Sequence, residues 1–245
     1  MDTIRYARHH ALPGFGEAAQ DRLGQARVLL LGAGGLGCAT AAYLTASGVG
    51  ELRIADFDTV DLANLQRQIL YRSEQTGQDK VDAAMTHLSA LNPEIRLIAL
   101  RERMDEDSLR AQAAEVDLIV DGCDNFPTRF AANRAAVATG TPLVSGAAIR
   151  WQGQLAVFTP DTGCYACLFE ETAVEEDMGN CAQNGVLSPL VGVVGSLQAV
   201  EAIKLLTGQG RHTAGRLLRY DAFSGEWRQS RFAKDPNCPV CGDPA

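Results

Sequence analysis

The sequence predicts an α/β protein with a Rossmann-like, doubly wound, mostly parallel sheet that antiparallel strands extend and a cysteine-bearing tail closes. Three observations predict it. Short apolar runs alternate with helix-length segments through the first two-thirds of the chain, a glycine cluster separates the first run from the first long helix, and two Cys-x-x-Cys pairs lie in the last third.

Residues 1–25 read as a helical arm and residues 26–150 as a nucleotide-binding core. The apolar run Val28–Leu31 predicts a buried strand, and Gly32-Ala33-Gly34-Gly35-Leu36-Gly37 turns it into a helix over Leu36–Ser47. Further strands are expected at Leu52–Ala55, Ile95–Leu100, Leu118–Asp121 and Pro142–Ser145, with helices at Val81–Leu91, Asp105–Ala114 and Phe126–Thr139. Residues 151–245 carry short alternating runs at Gly153–Phe158, Arg216–Tyr220 and Glu226–Ser230 that suit antiparallel strands. Between them Cys164–Leu187 reads as a mobile crossover. Pro189–Thr207 reads as a helix with Ser188 as N-cap and Gly208 as stop. No internal repeat or linker divides the 245 residues, so a single domain is expected.

A net charge of −8 argues against a general nucleic-acid surface. The longest apolar stretch, Pro189–Leu206, contains Gln198, Glu201 and Lys204, which argues against a membrane span. Met1-Asp2-Thr3-Ile4-Arg5 has no secretory apolar core, so a cytoplasmic location is the simplest expectation.

Glycines at Gly32, Gly34, Gly35 and Gly37 let backbone approach a phosphate, and the helix that follows offers free N–H donors. Asp56 lies 19 positions past Gly37, where a carboxylate can accept from ribose hydroxyls. That much suits NAD, FAD or a mononucleotide equally. Arg67, Lys80 and Asp124 tip the reading toward ATP. Two cations and a carboxylate able to hold Mg²⁺ have little use around a hydride carrier, whereas phosphate transfer needs them. Taken singly, Lys80 would be a solvated helix residue and Arg67 a surface or salt-bridging group.

The spacing of Cys164-Tyr165-Ala166-Cys167 and Cys238-Pro239-Val240-Cys241 suits a closed structural Zn²⁺ site that pins the tail. Disulfides or a redox pair are the alternatives; a reducing compartment disfavours the first, and the absence of a thioredoxin-like unit disfavours the second. Cys38 and Cys123 read as small core residues. Cys181 lies in a polar stretch and is left open as a nucleophile.

From Arg5-Tyr6-Ala7-Arg8 to the tail the chain resembles the ubiquitin-activating-enzyme-like adenylyltransferases of the MoeB/ThiF type. The resemblance rests on Gly32–Gly37, Asp56-Phe57-Asp58-Thr59-Val60, Asn64-Leu65-Gln66-Arg67-Gln68, Asp121-Gly122-Cys123-Asp124-Asn125, Val144–Arg150, Gly195–Lys204 and the two cysteine pairs. It implies that ATP and Mg²⁺ are bound by the glycines with Asp56, Asp58, Asn64, Arg67, Gln68, Lys80, Asp124 and Asn125. The C-terminal glycine of a ubiquitin-like sulfur carrier would then be adenylated with release of pyrophosphate. It further implies a homodimer in which Arg8 reaches the partner's ATP, and a position at Cys181 where related enzymes bond covalently with carrier or persulfide sulfur. Ser145–Arg150 and the tail resemble the molybdopterin branch, which implies the molybdopterin-synthase small subunit (MoaD type) as partner, with ThiS or both carriers as alternatives. No rhodanese domain follows, so sulfur is expected from a separate protein. Ala63 and Ala166 depart from the family's serine and arginine, which leaves the carrier's identity less defined. An NAD-dependent oxidoreductase, a transfer-RNA-modifying dehydratase and a non-catalytic zinc scaffold are the other classes; the acidic balance and cysteine pairs oppose the dehydratase.

Overall fold

The computed structural model describes residues 4–171 and 185–242. Eight strands form one sheet in the order β3-β2-β1-β4-β5-β6-β7-β8. Strands β1 (Arg27–Leu31), β2 (Glu51–Ala55), β3 (Arg96–Leu100), β4 (Leu118–Asp121) and β5 (Leu143–Ile149) run parallel. Strands β6 (Gln152–Phe158), β7 (Arg216–Asp221) and β8 (Glu226–Arg231) follow antiparallel. The chain leaves β1 toward β2 and β3 on one side and returns to β4 and β5 on the other, so a crevice opens between β1 and β4 at the carboxyl ends of the strands.

Helices cover both faces, as continuous apolar strands require. Val28 and Leu30 of β1 face α2 (Gly16–Gln25), α3 (Gly35–Ser47), α4 (Lys80–Leu91) and α8 (Ser188–Thr207). Their neighbours Leu29 and Leu31 face α5 (Glu106–Ala113) and α6 (Phe126–Thr139). Each fully buried leucine of this alternation contributes about 1.5–3 kcal/mol. The short helix α7 (Tyr165–Leu168) lies against α6. By length and composition α8 could cross a membrane, but half of it is buried in the protein, with Gln198 and Glu201 inside.

The arm is helical at α1 (Ala7–His10) and α2. Tyr6 anchors it: the ring is buried against Gly48, and the hydroxyl accepts from Asn92 Nδ2 at 2.8 Å.

Three expectations need correction. Ser188 is the first residue of α8, not its N-cap; its hydroxyl donates to Gln66 instead. Strand β5 continues to Ile149, because it pairs with β6 through a tight turn at Arg150 and Trp151. The stretch after Cys164 is not a mobile crossover at its start, since Cys164 and Tyr165 are buried.

Candidate nucleotide site and cysteine cluster

A cavity of about 850 Å³ opens at the crevice. Of the residues predicted to bind nucleotide, Gly32, Gly34, Gly35, Asp56, Asp58, Asn64, Arg67, Gln68, Lys80, Asp124 and Asn125 line it together. Gly37 lies beneath: a Cβ there would stand 1.9 Å from the Gly32 carbonyl oxygen, so only glycine lets α3 rise against β1. The free N–H groups at the start of α3 face the cavity, a favourable place for an anion.

Asp56 is held rigidly. Oδ2 accepts from the Ala33 N–H at 2.7 Å and Oδ1 from the Asp58 N–H at 2.9 Å. Burial raises its pKa, while the bond from Ala33 and the charge of Lys80 pull the other way. Lys80, only 6% exposed in its side chain, pairs with Asp58 at 2.9 Å. The buried ammonium therefore already has a counter-ion, a pairing the sequence did not reveal. Arg67 donates to Asn64 Oδ1 at 3.1 Å and to the Ala63 carbonyl at 3.3 Å, which fixes its direction beside the glycine loop. Gln68 is buried with no partner for its Oε1 among the described residues. Asn125 is also the N-cap of α6: its Oδ1 accepts from Thr128 N–H at 3.0 Å.

Behind Asp124 lies a buried network that sequence reasoning missed. Arg129 of α6 donates to the carbonyls of Cys123 and Gly146, the latter at 2.8 Å, and lies 3.7 Å from Asp121. Asp121 accepts from Ser145 Oγ at 2.6 Å and from Cys123 N–H at 2.9 Å, and its carbonyl accepts from Gln198 Nε2 at 2.6 Å. Burial is the largest influence on Arg129 and works against its charge, but Asp121, Tyr165 and Cys123 together outweigh it and the pKa is raised. Only the position of Arg129, one turn past the Asn125 cap, hinted at this. The exposed Phe57 ring carries the Arg103 guanidinium 4.2 Å above its centre, both on the cavity wall. The opposite wall comes from β5 and the antiparallel strands, with Ala147, Ala148, Gly153 and Arg219.

Arg8 is not brought to this cavity. Its helix α1 follows Tyr6, which sits at the far ends of α3 and α4. The 13 residues of α3 separate them by roughly 20 Å. Cys181 lies outside the described residues.

The thiols of Cys164, Cys167, Cys238 and Cys241 converge within 4.8 Å of one another. Sulfur atoms of Cys164 and Cys238 are 3.7 Å apart and those of Cys167 and Cys241 3.4 Å. Ligands at ~2.3 Å around a tetrahedral ion have edges of about 3.8 Å, so the four fit one such ion. Asn133 Nδ2 and the Asp235 N–H point at Cys164 and Cys167 sulfurs at 3.5 and 3.4 Å, the kind of outer support that orients thiolate ligands. Burial raises the pKa of the Tyr165 phenol between these cysteines, and the Arg129 charge beside it lowers it.

The profile described as the ThiF family matches residues 6–240. The chain belongs to the ThiF family. Among relatives, the molybdopterin-synthase adenylyltransferase of Escherichia coli (strain K12) is 44% identical over 99% of this chain and 97% of its own. The sulfur carrier protein ThiS adenylyltransferase of the same organism is 42% identical over 98% of this chain and 96% of its own. This ThiF-family chain is thus an adenylyltransferase. A crystal structure of E. coli MccB with MccA-N7isoASN has TM-score 0.87 at 22% identity over 99% of this chain and 75% of that one, which shows the shared fold.

Proposed function

We propose that this ThiF-family protein adenylates the C-terminal glycine of a ubiquitin-like sulfur carrier at the expense of ATP, releasing pyrophosphate. One observation carries the reading. The cavity joins a phosphate-binding wall, with the glycine loop, Arg67, Lys80 and Asp124, to a wall of small residues, Ala147, Ala148 and Gly153, which leaves room for an extended Gly-Gly tail. The names of the two E. coli relatives support the same class of substrate.

In this mechanism the α3 N-terminus and Gly35 receive phosphate oxygens, and Asp56, held by two backbone N–H groups, accepts from the ribose. Arg67 and Lys80 neutralise phosphate charge. Asp124 would hold Mg²⁺, which on binding withdraws charge from the phosphate oxygens. The carrier's terminal carboxylate is the nucleophile: an oxygen bonds to the α-phosphorus while the bond to the pyrophosphate oxygen breaks, so no general base is needed. Lys80 must exchange Asp58 for phosphate as the nucleotide arrives.

The four cysteines would hold structural zinc, which ties the tail to the body and has no part in adenylation. Free thiols at all six described cysteines suit a reducing cytoplasm. The protein would work as a homodimer. Tyr43 of α3 and Val193 and Val200 of α8 are exposed on two adjacent helices, an apolar face that a second copy would cover. Arg8, far from its own cavity, would then serve the partner's. Cys181 stands as an optional nucleophile toward the adenylate, and sulfur would come from a separate donor protein.

MoaD is the favoured carrier on the likeness of Ser145–Arg150, with ThiS or both as alternatives. ATP–pyrophosphate exchange with each carrier in turn tests this. Exchange is expected with MoaD and should vanish in Asp124→Ala protein that keeps its fold and its zinc. Unchanged exchange in that variant would sink the assignment.

A further inference from the structure

Helix α6 runs from the nucleotide cavity to the cysteine cluster. Its cap Asn125 lines the cavity, while Asn133, two turns on, accepts from the Tyr165 N–H at 2.8 Å and donates to Cys164 Sγ at 3.5 Å. Arg129 lies one turn before Asn133 on the same face, with its two carbonyl bonds to Cys123 and Gly146. Those two carbonyls flank the business end of the cavity: Cys123 precedes Asp124, and Gly146 precedes the small-residue wall.

Tyr165 comes from the other direction. It sits between two cysteines of the cluster, its ring enclosed by Phe130, Phe158 and Phe169 at centroid distances of 5.2, 5.9 and 4.7 Å. Its hydroxyl is buried within reach of the Arg129 guanidinium, yet makes no hydrogen bond of good geometry among the described residues. A buried hydroxyl left without a good hydrogen bond is costly. A phenylalanine would fill the same space without that cost, so the hydroxyl needs a reason. Nothing else in the proposed mechanism uses it.

We propose that Tyr165 is a positioning residue that backs the Arg129 guanidinium, so that metal at the four cysteines and nucleotide at the Asp124 loop strengthen each other's binding. The inference rests on the nucleotide reading above. Cys164 and Cys167, on holding metal, would fix the turn that carries Tyr165; the hydroxyl would then accept from Arg129, whose Nη2 holds the Cys123 and Gly146 carbonyls in register. Nucleotide at Asp124 fixes the same loop from the opposite side. Because coupling between two binding sites is reciprocal, one factor must show in both directions.

The test uses the full-length protein, zinc as the metal and a non-hydrolysable ATP analogue with Mg²⁺. Zinc affinity is measured by equilibrium competition against a colorimetric chelator with and without analogue, and analogue affinity by calorimetry with and without zinc. In the wild type each is expected to tighten the other about fivefold or more. Tyr165→Phe should keep stoichiometric zinc and lose that factor. Should Tyr165→Phe fail to retain zinc, Arg129→Lys replaces it, since it leaves the cysteines and Tyr165 intact; there too the factor should vanish. A wild type that binds the analogue with its zinc affinity unmoved overturns the inference alone, as does full coupling in the variant. A wild type that binds no analogue overturns the nucleotide reading and this inference together.

Discussion

Cys38 lies fully buried under the glycine loop, its thiol donating to the Ala33 carbonyl at 3.4 Å, and burial pushes its pKa from the ordinary 9.0 up to about 12. The neutral thiol is the form the fold accepts. Stability from this residue is present in full below pH 9 and is lost as the pH rises toward 12. Over that window it should cost about 1.4 kcal/mol of unfolding free energy per pH unit. Chemical denaturation of wild type and Cys38→Ala at pH 8, 9 and 10 checks this: the variant should lose stability less steeply, and parallel slopes would contradict the burial account. Residues whose job is written in backbone geometry, such as Gly37, were legible in the sequence because no other residue type fits there. Arg129 and Tyr165 were not, because an arginine on a helix and a tyrosine between cysteines carry no mark of burial until β5 and α7 close over them. The Lys80 and Asp58 pair was hidden for the same reason: 22 residues separate them, and only the return of α4 to the cavity brings them together.

At the scale of elements, helices with chemical punctuation were readable nearly to the residue. Helix α6 begins after Asn125 with Pro127 in its first turn and stops at left-handed Gly140; α8 stops the same way at Gly208. Strand β5 was under-read because Gly146-Ala147-Ala148 has little intrinsic preference for strand, and pairing with β6 decides its conformation. The contact of α3 with α8 depends on close approach of the two helices. A Cβ at Gly195 would stand 2.4 Å from the Leu36 carbonyl oxygen, where Thr40 Oγ1 now donates to the Gly195 carbonyl at 3.0 Å. Gly195→Ala is therefore expected to force the helices apart and destabilise by about 1–3 kcal/mol, read as a fall in thermal midpoint of several degrees. An unshifted midpoint would mean that the helices slide without cost.

For the molecule as a whole, the strand order places the crevice between β1 and β4 and the antiparallel half beside it, so the glycine-loop wall and the wall of small residues meet in one cavity. The assembly has its own prediction. If Arg8 works across a dimer, Arg8→Ala and Asp124→Ala proteins, each inactive alone, should regain about a quarter of wild-type exchange when mixed and allowed to swap subunits, because half the dimers then hold one intact site. Absence of recovery in mixtures shown to exchange would leave Arg8 without that role. The seat of Gly35 on Val191 has a consequence for biosynthesis: a Cβ at Gly35 would stand 2.8 Å from that side chain, so the glycine loop is shaped in part by α8. A ribosome adding about 5–20 residues per second needs roughly ten to thirty seconds to travel from the end of α3 at Ser47 to the end of α8 at Thr207. During that interval the emerging chain carries its glycine loop half-built and the greasy flank of α3 bare, so a nascent polypeptide stalled before α8 is a natural client for chaperones.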